Sequence, residues 1–377
     1  MPEDKTTNKV SLKRVIIKSV LLFLLIDLLF APLSPLPILG QISAYNVIYP
    51  GRVRLPYGEN PDQAYNLSLF NLEAMFASLV LAATKNPVDE YRVLIIGDSS
   101  VWGYLLKPEN TLSGYINAAN IKISNGRTVR AYNLGYPTLS LLKDLLILNY
   151  ATRYQPDMIV WMVTLESFPV AKQLDSPIVQ NNPSTVQNLI TTYSLNLNPH
   201  DPKFATPNLW DSTLVGERRA LADILRLQLY GVMWSATGID QYYPQSYEPP
   251  QENLASDETF HGLLPPYLNP ADLSLDIISA GINMTGNIPI LYVNEPIYIS
   301  HGENSDIRYN FFYPRWAYDQ YRQLFADSCS TGGWHCLDEW NLVPPDEFTN
   351  SAIHMSPLGT QTLAFVLEHA ILSLTSP

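Results

Sequence analysis

Two short segments, 255 positions apart, carry the residue types that nucleophilic catalysis needs. The first is Gly97-Asp98-Ser99-Ser100. The second is Phe348-Thr349-Asn350-Ser351-Ala352-Ile353-His354, followed by Met355-Ser356-Pro357. A serine hydroxyl is a weak nucleophile until a base takes its proton, and histidine is the side chain best matched to that task near neutral pH. Ser99 paired with His354 would therefore support acyl transfer through a covalent intermediate. Taken alone, the Gly-Asp-Ser step reads equally as a turn that caps a helix. A lone histidine in a loop is ordinarily a solvated or packing residue, so the catalytic reading depends on what positions the two.

The apolar patterning supplies those positions. Short β-branched runs predict buried strands at 93–96, 129–134, 158–163, 288–293 and 335–337. Helical spacing predicts helices over 67–83, 111–119, 140–152, 217–229, 314–326 and 357–374. Strands alternating with helices imply an α/β fold, a parallel sheet covered on both faces. Ser99 would then stand just beyond the carboxyl end of the first strand, and His354 just before the last helix. Open parallel sheets form their sites at strand carboxyl ends, and a helix start there receives negative charge on its N–H groups. The rhythm lapses between 165 and 255, which reads as a long insertion.

With those placements the chain resembles the SGNH, or GDSL-type, hydrolase superfamily. Gly97-Asp98-Ser99 matches its first block, Asn133-Leu134-Gly135 its second, and His354 its last. The resemblance runs from about Tyr91 to His369. It implies a three-layer α/β/α architecture of SGNH or flavodoxin-like type and ester chemistry. In that chemistry Ser99 attacks a carbonyl, His354 acts as base and then acid, and the N–H groups of Ser99 and Gly135 hold the oxyanion.

The chain departs from the family pattern twice. After the third strand, where the family carries Gly-x-Asn-Asp, stands Thr164-Leu165-Glu166-Ser167. Thr164 could donate to an oxyanion through its hydroxyl, whereas an ionised Glu166 could only accept and would oppose one. Three places before His354, where the family has an aspartate, stands Ser351. Asn350 is a candidate to orient the imidazole, Asp346 or Glu295 could supply a charge, and a Ser–His dyad is the remaining option. These departures favour a second reading, a catalytically inactive carbohydrate-binding or scaffold protein that keeps the fold.

A further cluster, Asn304-Ser305-Asp306-Ile307-Arg308-Tyr309-Asn310, alternates amide, guanidinium and aromatic groups. Asn304, Arg308, Tyr309 and Asn310 are candidate contacts to a sugar, whose apolar faces meet rings and whose hydroxyls meet amides. Ordinary structure, a capped helix start with buried rings, explains the same pattern.

The amino terminus assigns a compartment. Residues 15–39 are apolar enough to span a bilayer, and five basic residues stand in the first 18 positions. That asymmetry predicts a single-pass anchor in a bacterial cytoplasmic membrane, with residues 1–14 inside, a linker over 40–65, and the catalytic domain of 66–377 extracytoplasmic. A cleaved signal peptide is the rival. It wants small residues three and one places before the cut, a pattern missing at Ala31 and Ala44. Outside the cytoplasm Cys329 and Cys336, with six residues between them, are expected to form a disulfide. They do not make a zinc site, since His335 alone cannot complete four ligands. No metal constellation and no cofactor motif appears.

The net charge is −12, and from Tyr45 onward 18 basic residues face 32 acidic ones. Such a body is a poor partner for nucleic acid, whose affinity comes from phosphate neutralisation. The expected activity is an extracytoplasmic acyl-ester hydrolase or O-acyltransferase acting on a cell-envelope carbohydrate. The resemblance also leaves room for a membrane acyl-exporting partner.

Overall fold

The computed structural model describes residues 11–48, 51–58, 70–84, 87–206, 208–239 and 241–375. Its centre is a five-stranded parallel sheet: β1 (Glu90–Gly97), β2 (Thr128–Gly135), β3 (Met158–Val163), β4 (Ile290–Asn294) and β5 (His335–Asp338), in the order β2-β1-β3-β4-β5. β1 is buried along its whole length, as are β3 and β4, so these strands read as continuous apolar runs and not as alternation. The expected α/β class and parallel sheet are what the chain adopts.

The order follows from the chirality of the crossovers. β1 reaches β2 through the helix Leu112–Ala119, and β2 returns past β1 to β3 through the helix Leu141–Ala151. The two connections run in opposite directions, so right-handedness puts their helices on opposite faces. Strand residues divide accordingly. Leu94, Ile96, Ile159 and Trp161 pack with Leu141–Ala151, Leu275–Thr285 and Arg315–Gly332. Val93, Ile95, Val160 and Met162 pack with Leu112–Ala119 and the terminal helix Pro357–Leu374. The direction reverses between β1 and β3, which opens a crevice at their carboxyl ends.

Several boundaries differ from the periodicity. The helix expected over 67–83 appears as Leu72–Ala77 and Val80–Ala83, broken where Leu79 bridges Arg52; its first three residues lie outside the described residues. The insertion helix runs Arg218–Thr237 and ends on Gly238 at φ +68. The amino-terminal helix spans Leu12–Leu33, 22 residues, and its most apolar 18-residue stretch has a mean hydropathy of 2.3. At 1.5 Å per residue that is about 33 Å, enough to cross a hydrocarbon core. It stops at Ser34 because Pro35 disfavours a helical residue before it.

The segment 51–58, expected as linker, is packed into the body instead. Leu55 and Arg54 are fully buried. Arg54 donates to the carbonyls of Gly103 and Leu106 and to Tyr243 Oη, and Trp102 Nε1 donates to Leu55 O at 2.8 Å. A guanidinium has enough donors to gather several carbonyls that no helix or strand satisfies.

The two cysteines form a disulfide that ties the end of Arg315–Gly332 to β5, with Cα atoms 6.2 Å apart.

Candidate active site

Ser99 opens a four-residue helical turn, Ser99–Trp102, that starts directly after β1. A Cβ on Gly97 would stand 2.7 Å from Val101 Cγ2 and 3.0 Å from Met162 Cβ, so only glycine lets the chain fold back this tightly. Asp98 caps the turn, its carboxylate accepting from Ser100 N at 2.8 Å. The Ser99 N–H makes no hydrogen bond among the described residues.

His354 reaches this turn from a clamped loop. Phe348 bridges Met355, and Thr349 N donates to His354 O at 2.7 Å. Tyr298 N holds Ala352 O at 2.7 Å, and Ser356 caps the terminal helix through Leu358 N and Gly359 N. The outcome is a hydrogen-bonded chain of three side chains. His354 Nε2 lies 2.7 Å from Ser99 Oγ, and His354 Nδ1 lies 2.9 Å from Asn350 Oδ1. An amide oxygen can only accept, so Nδ1 carries the proton and Nε2 is left to accept from the serine. Tyr104 stacks on the imidazole with centroids 4.8 Å apart. Burial pushes the His354 pKa down to about 4, and no carboxylate among the described residues pairs with the ring. The histidine is therefore neutral near pH 7, as a base must be.

Behind the nucleophile lies a buried charged group that the motif alone does not reveal. Lys143 Nζ donates to Gly97 O at 2.7 Å and pairs with Asp144 at 2.5 Å, both side chains being removed from solvent. Asp144 also accepts from Trp161 Nε1 at 3.2 Å, and burial raises its pKa to about 6. Ser100 Oγ donates to Glu295, which follows β4 and is fully buried. Burial, with the neighbouring Asp98 carboxylate, holds Glu295 well above the usual carboxylate range, and burial raises Asp98 as well. Glu295 thus braces the turn through Ser100, and the partner of His354 Nδ1 is Asn350 and not this carboxyl. Lys143 and Asp144 fall within an apolar helical stretch, and a lysine there that cannot reach solvent was the available signal.

Other expected site residues are placed differently. Asp346 is exposed and forms no hydrogen bond with His354. Gly135 N–H is taken by Asn133 Oδ1 at 3.0 Å, so it is not free for an oxyanion. Its glycine is needed for contact: a Cβ there would stand 2.4 Å from Trp102 N, so β2 ends flush against the nucleophile turn. Thr164 is fully buried, with its hydroxyl 3.0 Å from Tyr313 Oη. Glu166 turns aside to Lys172 and to His261 Nε2 at 2.9 Å. Burial alone would raise its pKa, but His261 and Lys172 outweigh that and lower it, so its charge is matched locally.

The four candidate sugar contacts are structural ties. Arg308 gives its guanidinium to the carbonyls of Asp257, Asn310 and Phe311, and Asn304 Nδ2 donates to Leu254 O. Tyr309 Oη donates to Asp319, and Asn310 is fully buried between Tyr298 O and the N–H groups of Phe312 and Tyr313. The loop 298–314 lacks regular structure, so its carbonyls need side-chain donors, and these residues meet that need. Among the described residues no cluster of histidine, cysteine or carboxylate groups could hold a metal ion. A cavity of about 320 Å³ lined by Asn46, Glu73, Tyr150 and Arg153 contains none of the residues around Ser99.

No family model matches the chain, and no curated protein does. Solved structures similar to it include a carbohydrate acetylesterase from Sinorhizobium meliloti, at 13% identity over 75% of this chain and 99% of that one, TM-score 0.33. An aryl esterase from M. smegmatis aligns at 12% identity over 75% and 99%, TM-score 0.34. A catalytic mutant of an acetylxylan esterase from Geobacillus stearothermophilus aligns at 12% over 74% and 93%, TM-score 0.35. The chain has a parallel α/β fold of strand order β2-β1-β3-β4-β5, in which the Gly97-Asp98-Ser99 turn meets His354 across the carboxyl edge of the sheet.

Proposed function

We propose that the protein is a membrane-anchored, extracytoplasmic serine esterase or O-acyltransferase that works through Ser99, His354 and Asn350. The observation that carries this reading is the 2.7 Å contact between Ser99 Oγ and His354 Nε2, with Nδ1 oriented by Asn350. Ser99 Oγ attacks the acyl carbonyl carbon while its proton passes to Nε2. The Ser99 N–H, at the start of the helical turn, receives the oxyanion. The alkoxide leaving group departs with the proton from Nε2, and Ser99 is acylated. Water or a sugar hydroxyl then gives its proton to Nε2 and attacks the acyl group, which frees Ser99 and yields an acid or a new ester. Hydrolysis and transfer differ only in that second nucleophile.

A neutral acyl carrier suits the acidic body better than a phosphorylated one. Together with the SGNH resemblance, that favours an acylated cell-envelope carbohydrate, with an acyl-exporting membrane protein as the donor. The spanning length of Leu12–Leu33 and the five basic residues among the first 18 support an anchor with its amino end in the cytoplasm.

The test is turnover of a chromogenic acetyl ester by the full chain in detergent, with Ser99→Ala and His354→Ala beside it. Each variant should lose about a thousandfold or more. Equal rates in all three proteins would sink the proposal and leave a non-catalytic member of the fold. Adding sugar acceptors to an active preparation separates transfer from hydrolysis by the product formed.

A further inference from the structure

The insertion helix Arg218–Thr237 carries large apolar side chains on both of its long faces. One face, with Ile224, Leu227 and Trp234, is buried on the body. The other carries Leu225, Leu229, Val232 and Met233 at spacings of four, three and one residues, and these are 58%, 69%, 45% and 45% exposed. A helix in water keeps its second face polar, so this one is built for another surroundings. Just before it, Leu209 and Trp210 are also exposed.

Two contacts say what those surroundings are. Val215 N donates to Asp27 Oδ1 at 2.8 Å, and Asp27 is the buried residue of the Leu12–Leu33 helix. Asp27 lies six residues before the outward end of that helix, about 9 Å along its axis. Ala44 N donates to Gln228 Oε1 at 2.8 Å, which holds the insertion helix beside the same end of the anchor. On the segment that Gln228 holds, Ile42, Val47 and Ile48 are exposed too. Arg218, Arg219 and Arg226 are exposed on the insertion helix, where long cationic chains can reach headgroups.

We propose that Arg218–Thr237 and the turn before it lie in the outer leaflet of the membrane that Leu12–Leu33 spans. Leu225, Leu229, Val232 and Met233 sit among the acyl chains, and Asp27 is matched by the Val215 amide. The body is thereby held on the bilayer surface and is not free on a tether. The inference rests on the anchor reading of Leu12–Leu33 and adds a second, monotopic contact to it.

The experiment uses the full chain, one copy per nanodisc of phosphatidylethanolamine and phosphatidylglycerol, with a nitroxide on Leu229→Cys or Val232→Cys. Leu358→Cys, on a comparably exposed leucine of the terminal helix, is the aqueous reference. Labels at 229 and 232 should collide with oxygen in preference to a water-soluble nickel chelate by at least about fivefold over the label at 358. Equal chelate access at all three sites overturns the proposal, and so does protection that appears only when a second copy or another protein is present. Intact mass and carbonate extraction of the membrane-expressed chain separate the two readings. An intact, extraction-resistant chain with aqueous labels defeats the leaflet contact alone, whereas a cleaved and released chain defeats the anchor and the contact together.

Discussion

Asn350 Oδ1 stands 2.9 Å from His354 Nδ1, at the position where a carboxylate would charge-balance an imidazolium. An amide there fixes the tautomer and the ring orientation but offers no negative charge. Asn350→Asp should therefore raise turnover of an acetyl ester at pH 7 by roughly tenfold, and Asn350→Ala should lower it by about a hundredfold through loss of orientation. An aspartate variant slower than the native chain would show that the amide itself is required.

Desolvation of the imidazole sets the acid limit of activity. Burial lowers the His354 pKa to about 4, and the base works only when neutral, so protonation disables it only below that value. kcat/KM should hold down to about pH 5 and fall with a midpoint near 4, whereas an unshifted histidine would fail near about 6.5. In Asn350→Asp the midpoint should move upward, because a carboxylate favours the charged ring. A native midpoint at the ordinary histidine value would contradict the buried, uncharged site.

The buried group behind Ser99 makes opposite demands on its members. Lys143 neutralises Asp144 and ties Gly97 O, so Lys143→Met should cost about 3–5 kcal/mol in urea unfolding by leaving a buried carboxylate without its cation. Burial and the Asp98 carboxylate hold Glu295 well above the usual carboxylate range, which favours the protonated form, and Glu295→Gln should stay within about 1 kcal/mol of the native chain. Glu295→Ala leaves Ser100 Oγ unpartnered and should cost roughly 1–3 kcal/mol. A Gln variant as damaged as the Ala variant would mean that Glu295 works as an anion.

Arg308 separates structure from substrate contact. Its guanidinium is committed to backbone carbonyls, so Arg308→Ala should lower stability by roughly 2–3 kcal/mol while the KM of the folded fraction stays unchanged. A raised KM in a protein of native stability would return Arg308 to the substrate.

The Cys329–Cys336 bridge closes a loop far from Ser99 in sequence. In the chain-entropy view a loop this short contributes about 2–3 kcal/mol. Replacing both cysteines with serine should lower the unfolding free energy by that amount and leave ester turnover within about twofold. A large loss of activity with little loss of stability would place β5 in the catalytic machinery.

The sequence by itself determined the parallel sheet, because β1, β3 and β4 are short apolar runs and runs of that length and branching are stable only when buried on both faces. It likewise determined where Ser99 and His354 would stand, since each adjoins the end of an element that its own pattern defines. It over-read the polar run at 304–310. Amide, guanidinium and ring groups look the same in one dimension whether they await a sugar or satisfy an irregular loop's carbonyls. Only the tertiary structure decided the partners: Asn350 over Asp346 and Ser351, Asn133 for Gly135, Tyr313 for Thr164. It also drew Arg54, Lys143 and Glu295 behind the nucleophile from three distant segments. The reason is physical. A pattern of hydrophobicity fixes which face of an element is buried, but a hydrogen bond needs two atoms within about 3 Å, and that coincidence is set by how the elements pack.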